Sequence, residues 1–89
     1  GYYKSGEYGI RIENLVLAVP KETPGAELPM LGFETLTFVP IERTLIDKSL
    51  MTAAEIAWLD AYHAKVEEIL APQLDGEDLA WLKAKCAPI

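Results

Sequence analysis

The sequence predicts an α+β chain, antiparallel strands first and helices after them. Two patterns carry this. Through about residue 45 the apolar residues are rich in β-branched and aromatic types and alternate with polar ones, whereas from about residue 46 they recur every three or four positions. A cluster of chain breakers, Pro20, Pro24, Gly25, Pro29 and Gly32, separates the two strand signals and excludes a helix or a central strand there.

Gly1–Tyr3 reads as a short strand end, and the Gly6 to Gly9 region turns the chain into the first full strand, Tyr8 to Val19. Within it Ile10 and Ile12 alternate with Arg11 and Glu13, and the run then becomes almost wholly apolar through Leu15, Val16, Leu17 and Val19. Such a strand is buried on both faces at its far end. Residues 20–32 read as a loop. From Phe33 to Ile41, Thr35, Thr37, Val39 and Ile41 oppose Leu36 and Phe38, which predicts a second strand ending near Pro40.

The helical part follows, and the division of the chain is expected at 1–45 and 46–89. Thr52-Ala53-Ala54-Glu55 is a capping box, in which a threonine hydroxyl and a glutamate carboxylate satisfy backbone N–H groups that the first turn leaves unpaired. It opens a helix over about 53–71, closed by Pro72. Ile56, Leu59, His63, Val66 and Leu70 share one face, and Trp58, Tyr62 and Ile69 widen the apolar stripe. Asp75 is the expected N-cap of a second helix, about 76–86, which buries Leu79 and Leu82 with Trp81 alongside; Pro88 ends it. Trp58, Tyr62 and Trp81 read as packing anchors rather than a cofactor box, with a hydrophobic partner surface as the second reading.

With 89 residues the chain has room for one small core. Its net charge is −6 and its eight basic residues form no cluster, so the footprint of a nucleic-acid or anionic-lipid binder is missing. No apolar run is long enough to cross a bilayer. The single cysteine, Cys86, has no intrachain partner and suits a reducing compartment, which makes cytoplasm the expected location.

Few residues offer chemistry. Arg11 and Glu13, two apart on a strand, share a face with Leu15, Leu17 and Val19, so a charge pair borders an apolar surface. Breaking a buried pair of this kind costs roughly 3–5 kcal/mol, so a buried Glu13 needs a cation or a metal beside it. Two readings stand open at this point: a functional carboxylate, or an ion pair at the solvated end of the strand. Asp60, His63 and Glu67 lie along one helical surface at metal-ligand spacing, but His63 sits amid Leu59, Val66 and Leu70, which favours a hydrogen-bonded core histidine. No nucleophile elbow or phosphate-binding glycine loop is present.

Gly1-Tyr2-Tyr3 and Gly9-Ile10-Arg11-Ile12-Glu13-Asn14 resemble the metal-site strand of the Xaa-Pro aminopeptidases (aminopeptidase P), pita-bread metallopeptidases of family M24B. Leu31-Gly32-Phe33-Glu34-Thr35-Leu36-Thr37-Phe38-Val39-Pro40-Ile41 is similar to the following strand of that family. Trp58-Leu59-Asp60-Ala61-Tyr62-His63, behind Leu50-Met51-Thr52, is similar to the helical C-terminal extension of its cytosolic-type members.

The resemblance implies strands from the end of a pita-bread catalytic domain, followed by a C-terminal helical subdomain. It implies two divalent ions, commonly manganese, held by two Asp, one His and two Glu, with Glu13 similar to the glutamate that bridges both ions. The second glutamate of the family stands in a Glu-Pro-Gly-Tyr-Tyr run and would precede Gly1; the aspartates and the histidine would lie further upstream. Arg11 then has a supporting role, orienting a carboxylate by a charge-assisted hydrogen bond. The implied reaction releases an N-terminal residue when proline follows it, the implied assembly is a homodimer, and the 89 residues alone are expected to be inactive. A free-standing α+β interaction or dimerisation module is the competing reading.

Overall fold

The computed structural model describes residues 1–89. Its elements are β1 (Tyr2–Lys4), β2 (Tyr8–Ile10), β3 (Val16–Lys21), β4 (Met30–Thr35), α1 (Ala53–Leu70) and α2 (Gly76–Cys86), with short 3-10 turns at Arg43–Leu45, Lys48–Leu50 and Ala71–Gln73. They fall into two compact units, Gly1–Thr37 and Phe38–Ile89. The α+β class read from the sequence holds, with both sheets antiparallel and both helices after them.

The strand unit contains two separate ribbons. β1 and β2 pair with Tyr2 opposite Ile10 and Lys4 opposite Tyr8, and the turn between them closes through Glu7 N–H donating to Lys4 C=O at 3.0 Å. β3 and β4 pair from Val16–Thr35 to Lys21–Met30. Their connection carries the turn Thr23-Pro24-Gly25-Ala26, with Ala26 N–H donating to Thr23 C=O at 3.1 Å. Gly25 has φ +80° behind Pro24, the residue pair a type II turn requires at its centre.

The single strand expected over Tyr8–Val19 is therefore two. Residues 11–15 fall outside both ladders, which end at Ile10 and begin at Val16. One further pair of bonds flanks β3 at Leu15, whose C=O accepts from Leu36 N–H at 2.8 Å while its own N–H donates to Thr37 Oγ1 at 2.8 Å. The second strand also shifts, from the expected 33–41 to Met30–Thr35. Pro29 and Gly32 mask its start in the sequence, yet Gly32 fits because the Lys21 side chain crosses the space a Cβ would take, 3.0 Å from that position.

Residues 38–41 make no ladder at all. Their amides bond to side chains of α1: Val39 N–H donates to Tyr62 Oη at 3.2 Å, Tyr62 Oη donates to Val39 C=O at 2.7 Å, and Ile41 N–H donates to His63 Nε2 at 3.1 Å. Phe38, Ile41 and Ile46 consequently pack on the helical core.

That core consists of Leu59, Tyr62, His63 and Val66 from α1 with Leu82 and Cys86 from α2. Thr52 and Glu55 form both bonds of the predicted capping box, at 3.1 and 3.0 Å. Asp75 occupies the N-cap of α2 but makes no side-chain cap bond. Trp81 is no packing anchor: it is 56% exposed, as Trp58 is 58% exposed, although Trp58 stacks on Tyr62 at 5.5 Å between ring centroids. The last residues are strapped down, with Arg43 donating to Ala87 and Pro88 carbonyls, Lys48 Nζ donating to Ile89 C=O at 2.8 Å, and Ile89 N–H donating to Asp60 Oδ1 at 2.9 Å. No residue of the strand unit is buried, so every buried side chain belongs to Phe38–Ile89.

Candidate functional site

Arg11 and Glu13 lie in the irregular stretch between β2 and β3. Although no ladder fixes them on one face, they meet: Arg11 Nη2 donates to Glu13 Oε2 at 2.5 Å, with both side chains more than half exposed. The pair is a charge-assisted bond in water rather than a buried one, a setting in which an ion pair contributes at most about 1 kcal/mol. An exposed carboxylate anchored on one side is free to accept further partners from the other.

A two-metal centre needs several such groups, because ions roughly 3.5–4 Å apart must be clamped by ligands converging from different elements. The chain offers no group of three or more His, Cys, Asp or Glu that could hold an ion. These 89 residues do not by themselves fit a dinuclear centre.

The helical carboxylates do not fill the gap. His63 is fully buried with Nε2 committed to Ile41 N–H, and Asp60 is committed to Ile89 N–H, so the Asp60/His63/Glu67 spacing builds a core and a tail anchor. Burial first, then the Arg43 charge, hold His63 below its usual pKa, against an opposing pull from Asp60. Burial also pushes the Cys86 thiol up, with the Glu67 charge adding to it, which keeps the thiol protonated and unreactive. Sequence reasoning missed Tyr62 and His63 as partners of the 38–41 backbone, since nothing in the spacing of helical residues announces which backbone they will meet.

A family model for the C-terminal region of peptidase M24 matches residues 29–89. The chain belongs to this M24 C-terminal family. Similarity to M24 peptidases extends over the whole chain: it is 45% identical to the "Probable Xaa-Pro aminopeptidase P" of Arthroderma gypseum and 46% identical to that of Fusarium vanettenii, covering all of this chain and 15% of each relative. The crystal structure of the X-prolyl aminopeptidase of Caenorhabditis elegans, described as a cytosolic enzyme with a di-nuclear active site, superposes on 99% of the chain with a TM-score of 0.81 at 39% identity, and the match takes up 15% of that protein. The chain therefore spans about one seventh of the length of the M24 relatives it matches. No helix is long and apolar enough to cross a membrane.

Proposed function

We propose that this chain is the C-terminal portion of a dinuclear metal-dependent Xaa-Pro aminopeptidase, which removes the N-terminal residue of a peptide when proline stands second. The observation that carries the reading is the likeness, over 99% of the chain, to an enzyme with a di-nuclear active site. Glu13 supplies one carboxylate to the centre, and the other ligands come from polypeptide beyond these 89 residues. Arg11 is a positioning residue: its charge-assisted bond to Glu13 Oε2 would hold the carboxylate in place for the ions. Manganese is the proposed ion, cytoplasm the proposed location and a homodimer the proposed assembly, with no nucleic-acid or membrane partner. The identity of the neighbouring enzyme as cytosolic supports the location.

The test is a chimera in which these residues replace the matching segment of the Caenorhabditis elegans enzyme. With manganese added, the chimera should release the N-terminal residue from a peptide with proline at its second position and leave the alanine analogue intact. Glu13→Gln should abolish that release, and the 89-residue chain alone should show none. A correctly folded chimera without activity, or a fully active Glu13→Gln chimera, would overturn the proposal.

A further inference from the structure

Residues 38–41 are β-rich in composition but join no ladder, and two consecutive side chains of α1 bond their backbone instead. Tyr62 serves both polar groups of Val39, and His63 serves the amide of Ile41. The second contact dictates a protonation state. A backbone N–H can only donate, so Nε2 of His63 must present its lone pair and the ring proton must sit on Nδ1. Nδ1 is itself buried without a hydrogen-bond partner, and the residue has no exposed surface. Neither nitrogen can take up a further proton in place: a proton on Nε2 would face the Ile41 N–H, and the resulting cation would lie in a core of Leu59, Val66 and Leu82.

The surrounding charges do not rescue that cation. Arg43, from the 3-10 turn that follows residues 38–41, opposes it. Asp60, on the same helix, favours it but already accepts from Ile89 N–H. Cys86 is the titratable group that α2 adds to the core, and Glu67 on α1 acts on that thiol. Phe38, Val39, Pro40 and Ile41 carry no charge.

We infer that His63 is an acid-sensitive clasp, whose protonation releases the Phe38–Ile41 stretch from α1 while α1 and α2 remain packed on each other. In the closed state the ring is held below its usual pKa of 6.5; in the released state it returns to that value. The open form thus binds more protons than the closed one, so the clasp is fully effective above the usual value and weakens as pH falls toward the depressed one. Phe38–Ile41 opens the helical unit, so acid loosens the first residues of that unit from its own helix α1.

NMR of the full 89-residue chain tests this. At about pH 8, ring-nitrogen shifts should place the His63 proton on Nδ1. Between that pH and about pH 5, the protection factor of the Ile41 amide, taken relative to its intrinsic exchange rate, should fall by up to about tenfold per pH unit through the His63 titration. The Leu82 amide should keep its protection over the same range. In His63→Gln, the side-chain carbonyl can accept from Ile41 without titrating, so Ile41 protection should be flat with pH. A proton found on Nε2, Ile41 protection independent of pH in the parent chain, or joint loss of Ile41 and Leu82 protection at a single pH would each overturn the inference. If His63→Gln does not fold, the tautomer and the parent titration decide the matter without it.

Discussion

The hydroxyl of Tyr62 makes both hydrogen bonds of the Val39 residue, accepting from its N–H at 3.2 Å and donating to its C=O at 2.7 Å. A single side-chain atom thereby does what a residue on a neighbouring strand does in a sheet. Tyr62→Phe keeps the ring that stacks on Trp58 and removes the atom, leaving a half-buried amide and carbonyl to find water. We expect a loss of about 1–3 kcal/mol in unfolding free energy, read from the urea midpoint, with the helical circular dichroism of the native state unchanged.

Leu82 is 1% exposed in a core of six buried side chains. Leu82→Ala should cost about 2–5 kcal/mol, and with so small a core the variant should show the thermal transition of a largely unfolded helical unit. Trp81→Ala, at the neighbouring but exposed position, should shift the same transition far less.

Thr52→Ala removes the hydroxyl that accepts from Glu55 N–H. A loss of about 0.5–2 kcal/mol is expected, and amide exchange should localise it to the first turn of α1 rather than to the Leu82 region. Thr52→Ser should restore most of the loss.

On the proposal that Glu13 is a metal ligand and Arg11 only positions it, Arg11→Ala in the aminopeptidase chimera should weaken metal binding by about 10–100-fold without changing the fold. A metal titration of activity reads this as a shift to higher half-saturating concentration. Full activity recovered at high metal distinguishes Arg11 from Glu13.

The helices were legible in the sequence because their signals are local: a capping box four residues long, and apolar spacing that set Leu59, His63 and Val66 on one face. Strand limits were less so. Val39 and Ile41 have the residue types of a strand, but whether they join one depends on which partner reaches their amides, and here Tyr62 and His63 do. Met30–Gly32 suffered the opposite error, since Pro29 and Gly32 look like a loop until Lys21 is seen lying across the glycine. The Arg11–Glu13 pair followed from a spacing of two, whereas its chemical meaning came only from resemblance, because the groups that would complete the centre are not among these residues.

Since all buried side chains lie after Thr37, Gly1–Thr37 has no core of its own to hold it, and its Phe33, Leu31 and Ile12 are each at least 70% open to water. Backbone pairing alone is marginal support for two-stranded ribbons of this kind. Limited proteolysis of the 89 residues should therefore nick Gly1–Thr37 well before it reaches α1 or α2.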